Sequence, residues 1–224
     1  MPKRSKLMMI ALSIGVALGY KKRKEEPKEP SWFRSVQNSE LKAVRKFLHK
    51  GQNVNVVNRR GRSALMMATY NHHTPLVQLL IEAGSDVNQQ DDMKNSPYLY
   101  AAAEDYIDVL PLMKNKIDET VTNRYGSTAL ILACESGSVD SVRWILENTN
   151  TDIDTTNQLG WTALLVAILF GDGSKKYVEI IAALVEAGAN INMSDKDGVT
   201  PLEHAEKLGY KEIGLLLELH QKVR

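Results

Sequence analysis

Hydrophobic residues fall along this chain in short stripes at helical spacing, separated by polar punctuation. Trp32, Phe33 and Val36 open one stripe, and Leu41, Val44, Phe47 and Leu48 make the next. Leu65 with Ala68, Leu76 with Leu79 and Leu80, Val142 with Ile145 and Leu146, and Leu202 with Ala205 continue the pattern. Apolar positions at i, i+3 and i+4 predict one-sided helices that must find neighbours to cover them. The clearest start signal lies in Asp195–Ala205. Gly198 tolerates a positive φ in a turn, Thr200 can cap a helix, and Pro201 suits its first position.

The same phrase recurs as Gly61-Arg62-Ser63-Ala64-Leu65, Gly126-Ser127-Thr128-Ala129-Leu130 and Gly160-Trp161-Thr162-Ala163-Leu164, with Lys94-Asn95-Ser96-Pro97-Tyr98 as a copy that has lost its glycine. The intervals from Gly61 through Lys94, Gly126 and Gly160 to Gly198 are 33, 32, 34 and 38 residues. A near-fixed period predicts a stacked array in which each unit buries its apolar face on the next.

With the closing phrases Leu79–Asn88 and Leu184–Asn192 added, the chain resembles ankyrin-repeat proteins over roughly residues 31–220. The resemblance implies an all-α ankyrin-repeat solenoid of about six stacked helix-turn-helix units with β-turn fingers. Repeats are expected near 31–57, 58–90, 91–122, 123–156, 157–194 and 195–221, within a domain spanning 31–222. It also implies a concave surface, built from fingers and inner helices, that grips another protein.

Departures from the pattern predict local irregularity. Ser39 is expected to cap the second helix, and Thr74-Pro75 to cap and open an outer helix. His72-His73 reads as an inter-helix turn whose histidine bonds backbone. Lys94 at a glycine slot and Pro111 inside an expected outer helix mark residues 91–122 as the weakest joint. Gly171–Lys176 holds a five-residue excess, read as an elongated turn; it lacks the spacing of a phosphate-binding loop. In the last repeat the family's Thr-Pro-Leu-His order is broken by Glu203, so His204 is expected to lose its bond to the turn and face outward.

Charge changes the picture at one end. Residues 1–30 hold eight Lys/Arg and three Asp/Glu, or +5, and the remainder holds 20 and 24, or −4. A mildly acidic body argues against nucleic-acid binding, which needs a basic face for phosphates. A basic start followed by the uncharged run Leu7–Tyr20 has the layout of an export signal or an uncleaved anchor. Against cleavage, Lys21–Lys24 follows at once. A cytosol-facing anchor, a soluble tail, and initiation at Met8 or Met9 remain as alternatives. The expected location is the cell envelope, periplasmic or anchored in the inner membrane, with the cytoplasm as alternative. Glu25–Pro30 reads as an extended linker.

No catalytic constellation assembles from the sequence, and no cofactor or metal is expected. Cys134, the single cysteine, stands at a small buried slot and reads as an inert thiol. The candidate partner-binding residues lie between the framework positions. On the fingers they are Arg59, Arg60, Arg62, Met93, Arg124, Tyr125, Leu159 and Trp161. On inner-helix slots read as exposed they are Met67, Tyr70, Tyr100 and Phe170, with Glu104 and Glu135 beside them. Arg, Tyr and Trp dominate interface hot spots. The four arginines, read as lying on neighbouring fingers, favour an acidic patch on the partner. Trp161 is expected to point outward. The most specific expectation is an envelope-located immunity protein that neutralises a toxin or effector enzyme and is monomeric when unbound. A membrane-tethered scaffold and an accessory to an oxidative-stress enzyme are the alternatives.

Overall fold

Five helices begin with the same hydrogen bond. The side chains of Ser63, Ser96, Thr128, Thr162 and Thr200 accept from the backbone N–H three residues on, at Met66, Leu99, Ile131, Leu165 and Glu203. Each bond satisfies one of the donors that a helix start leaves without an intrahelical partner. At Thr200 the bond is reciprocal: the Glu203 carboxylate accepts from the Thr200 N–H at 2.8 Å.

The computed structural model describes residues 31–223. Among the described residues twelve α-helices pair in order: α1 (Ser31–Gln37) with α2 (Leu41–His49), α3 (Ala64–Tyr70) with α4 (Thr74–Glu82), α5 (Pro97–Ala103) with α6 (Leu110–Met113), α7 (Ala129–Ser136) with α8 (Val139–Asn148), α9 (Ala163–Phe170) with α10 (Lys175–Glu186), and α11 (Pro201–Leu208) with α12 (Lys211–Val223). Inner helices α1, α3, α5, α7, α9 and α11 stack on one another in sequence, and the outer helices form the second layer. A single apolar core runs from Trp32 to Leu217. Among the described residues there is no strand, only the bridge Val57–Ser63. No helix there is long and apolar enough to cross a membrane. The expectations placed on residues 1–30 lie outside the described residues.

Between pairs, each finger is built by one side chain. Asn58 Oδ1 accepts from the N–H groups of Arg60 and Arg62 at 2.9 and 3.1 Å. Asp91, Asn123, Asn157 and Asp195 do the same for Met93 and Asn95, Tyr125 and Ser127, Leu159 and Trp161, and Asp197 and Val199. An Asx side chain that bonds its own backbone two residues on makes the turn locally stable. Three positions later stands the positive-φ residue, Gly61, Gly126, Gly160 or Gly198, or Lys94 with φ 61°. Neighbouring fingers touch, since a Cβ on Gly61 would lie 2.6 Å from Asp92 Oδ1.

Several local expectations change. Ser39 does not cap α2; it takes φ 55°, and Glu40 stands at the cap without a side-chain bond. Thr74 is the first residue of α4, which His73 caps instead, its Nδ1 accepting from Leu76 N–H at 3.1 Å. Only Gly171–Ser174 of the 171–176 excess is loop, because Lys175 and Lys176 begin α10, the 12-residue outer helix. Tyr210 holds that loop by donating to Gly171 O at 2.8 Å. His204 keeps its bond to the turn, Nε2 lying 2.7 Å from Asp195 Oδ2.

The degenerate repeat is short where Pro111 falls. Its outer helix is four residues with Pro111 in the first turn, followed by a 3-10 turn at Lys114–Lys116. Proline is tolerated there because no intrahelical donor is lost.

Candidate partner-binding surface

On the finger and inner-helix side, the first two fingers, α3 and α5 and the turns that follow these helices assemble a polar-aromatic ladder. Arg62 lies over the Tyr70 ring, 4.3 Å from guanidinium carbon to centroid, and its Nε is 3.4 Å from Asp91 Oδ2. The Tyr70 hydroxyl donates to the same Asp91 oxygen at 3.3 Å. Burial, and then the Asp91 charge, push the Tyr70 phenol up to about 12. Tyr70 meets Tyr100 at 4.2 Å between centroids, and Tyr100 meets Tyr106 edge-on at 6.1 Å. Tyr106 in turn stacks on His72 at 3.7 Å and 4°. The Tyr100 hydroxyl is raised by burial and then by Glu104, and the Glu104 carboxyl is itself raised by burial. All four tyrosine and arginine members keep part of their surface in water. A cation over a ring and offset ring pairs hold these groups in fixed geometry, so little side-chain freedom is lost when a partner covers them.

Two smaller groups follow along the array. Arg124 lies 4.7 Å over the Tyr125 ring and brings Nη1 to 3.4 Å from Met93 Sδ. Trp161 meets Phe170 at 6.0 Å in an edge-on pair, and both rings pack on the core. Leu159 stands at its fingertip with 46% of its surface exposed, and Arg59 and Arg60 are exposed at theirs.

The structure therefore brings Arg62, Tyr70 and Tyr100 together, and Met93, Arg124 and Tyr125 together, and revises several expected placements. The arginines are not on neighbouring fingers: Asp91, Asp92, Met93 and Lys94 stand between Arg59–Arg62 and Arg124. Met67 and Glu135 are not on exposed slots, with 7% and 6% exposure. Trp161 is laid back on Phe170 rather than projecting. Tyr106, His72 and Asp91 were not among the expected site residues. The signal for Asp91 was present in the sequence, since Asn or Asp recurs three residues before every glycine slot. Tyr106 and His72 meet only because two inter-helix turns stack.

Behind the ladder, Asp108 ties two repeats. It accepts from His72 Nε2 at 2.8 Å and from the Thr74 hydroxyl, and these bonds outweigh burial to hold its carboxyl below the usual range. Cys134 is fully buried, and burial drives its thiol far above the ordinary range. Among the described residues no group of three or more His, Cys, Asp or Glu could hold a metal ion.

The family model for ankyrin repeats (3 copies) matches residues 32–123, 76–157, 109–195 and 149–223. The chain belongs to the ankyrin-repeat family. It is 35% identical over 184 residues to the ankyrin repeat protein YahD of Escherichia coli (strain K12), covering 82% of this chain and 92% of that one. An ankyrin repeat domain from Acinetobacter baumannii AYE superposes with a TM-score of 0.82 at 41% identity, covering 85% and 97% of the two chains. The ankyrin repeat protein EF0377 superposes at 0.81 and 33% identity, covering 86% and 98%. Ankyrin repeats are protein–protein interaction modules, and the fold is a non-catalytic scaffold.

Proposed function

We propose that this chain binds one partner protein across its finger tips and inner helices, centred on Arg62, Tyr70 and Tyr100, with Arg59, Arg60, Met93, Arg124, Tyr125 and Leu159 around them. The observation that carries the reading is the half-exposed ladder. It collects one arginine and three tyrosines, already ordered by mutual contact, on the finger and inner-helix side. Exposed Arg59 and Arg60 favour acidic groups on the partner at that end.

The basic and apolar layout of residues 1–24 supports a more specific role: an envelope-located inhibitor that neutralises a bacterial toxin or effector. A membrane-tethered scaffold would use the same surface. Purification of the tagged full chain from its native host should return one stoichiometric partner. Arg60→Ala with Tyr100→Ala should weaken that complex at least about tenfold, as loss of two hot-spot side chains does, with the folded circular dichroism spectrum retained. Unchanged affinity rejects this face. A partner that arrests growth alone and not when co-expressed with this chain identifies an inhibitor; a harmless partner identifies a scaffold.

A further inference from the structure

The five fingers hold one residue each at an equivalent place, two positions after the Asn or Asp that closes the turn. These residues are Arg60, Met93, Tyr125, Leu159 and Asp197, and each donates its N–H to that side chain at 2.9–3.0 Å. Neighbouring tips are tied through the backbone, Asp92 N–H to Arg60 O and Gln158 N–H to Tyr125 O. Read along the array, the row is cationic, apolar, aromatic, apolar and anionic. Met93 and Tyr125 are half-buried, Leu159 is exposed, and Arg124 lies across Tyr125 toward Met93. Around the first two tips, Arg59, Arg60, Arg62 and Lys94 outnumber Asp91 and Asp92. At the last, Asp195 and Asp197 outnumber Lys196, whose ammonium is drawn onto Gln158 O at 2.6 Å.

Spacing and side-chain type together select the occupant. Stacked helices set adjacent tips roughly 8–10 Å apart. An α-helix brings every seventh residue back to one face after about 10.5 Å, just above one step per repeat. A β-strand offers same-face residues at about 6.7 or 13.4 Å, which miss the row. A polyproline helix repeats at about 9.3 Å, but such ligands seat in aromatic-lined grooves, and one of these three apolar tips is aromatic.

Resting on the partner-binding reading above, we propose that the tip row seats an amphipathic helix of the partner protein with apolar residues at i, i+7 and i+14. Its C-terminal end lies over Arg59 and Arg60, and its N-terminal end over Asp197. Side-chain charge and helix dipole then agree, since the negative end of the dipole meets the arginines.

The test uses the full chain and labelled synthetic helical peptides, read by fluorescence anisotropy. The first carries leucines at i, i+7 and i+14, lysines at its N-terminal end and glutamates at its C-terminal end. A second exchanges the end charges, a third moves the leucines to i, i+4 and i+10, and a fourth is proline-rich with leucine every third residue. The first should bind at least about tenfold tighter than the others, the scale of one hot-spot contact. Met93→Ser with Leu159→Ser should remove that preference without changing the melting curve. Equal binding of the charge-exchanged or respaced peptide, tightest binding of the proline-rich one, or an unaffected double variant overturns the proposal. Against the native partner, the two readings separate. A complex that survives Met93→Ser with Leu159→Ser but is lost in Tyr100→Ala rejects the tip row and leaves the inner surface standing. Survival of both variants rejects both.

Discussion

Lys94 holds φ 61° where the other fingers place glycine, and its backbone carbonyl accepts from Gln90. A non-glycine residue in this region costs roughly 1–2 kcal/mol, of which the greater unfolded-state freedom of glycine returns about 0.4–1. Lys94→Gly should therefore raise stability by about 0.5–1 kcal/mol, measured by urea unfolding; a loss would mean that the lysine side chain contributes more than its strain. Asp195 gives a second residue-scale test. Burial raises its carboxyl, but the Val199 and Asp197 N–H groups and His204 outweigh it and leave the group below its usual 3.8. A carboxyl depressed in the folded state stabilises above its unfolded value, and that contribution disappears as pH falls through the folded value. Asp195→Asn keeps the turn bonds, as Asn58, Asn123 and Asn157 do, and loses the charge. The parent should lose denaturant resistance as pH falls below about 4 more steeply than the variant. Parallel profiles would assign no role to the carboxylate.

At the scale of the element, α6 differs most from its equivalents. Four residues and a 3-10 turn replace the 9 to 12 residues of α4, α8 and α10, so fewer amides are closed in helical bonds and less apolar surface is covered. Hydrogen exchange should find Leu110–Lys116 opening at least about tenfold more readily than α7 or α9, as low-density segments do. Uniform protection would contradict this. The Asp108 bonds to His72 and Thr74 oppose that loosening by tying the repeat to its better-formed neighbour. Helix α12 carries another irregularity. Leu215 and Leu219 are 60% and 61% exposed, at places where α4 has Gln78 and Glu82 and α8 has Arg143 and Glu147. Leu215→Gln with Leu219→Glu should leave stability within about 0.5 kcal/mol, the usual range for exposed positions, by urea midpoint. A larger fall would place these leucines in a contact.

Across the whole molecule, stability is shared between neighbours. Asn55 Oδ1 accepts from Asp86 N–H, Asn88 Oδ1 from Asp118 N–H, and Asp154 Oδ1 from Asn190 N–H, so each loop is completed by the one beside it. A stack held by nearest-neighbour interfaces loses more than one unit's share when an end is removed. Deleting 195–224 uncovers α9 and α10, which pack on α11 and α12. It should lower the urea midpoint of the repeats that remain; an unchanged midpoint would make the last repeat independent.

Architecture was legible because it is written locally and repeatedly. A glycine, a capping hydroxyl and an apolar pair recur at a fixed interval, and each acts through bonds that span three or four residues. That is why the framework of Gly198, Thr200, Pro201, Leu202 and Ala205 reads correctly from one copy to the next. The candidate surface was half legible. Arg62, Tyr70 and Tyr100 stand out by residue type and slot, but helical spacing alone cannot tell an exposed slot from one covered by neighbouring side chains, as Met67, Glu135 and Trp161 show. His204 was misread for a related reason, since a hydrogen bond depends on where a side chain ends and not on which slot it leaves from. Sequence by itself determined the repeat, the turns and the order of the helices. Only the tertiary structure decided which side chains meet across repeats, because distances of 3.3–4.2 Å between residues 21 to 34 positions apart are set by how the units stack.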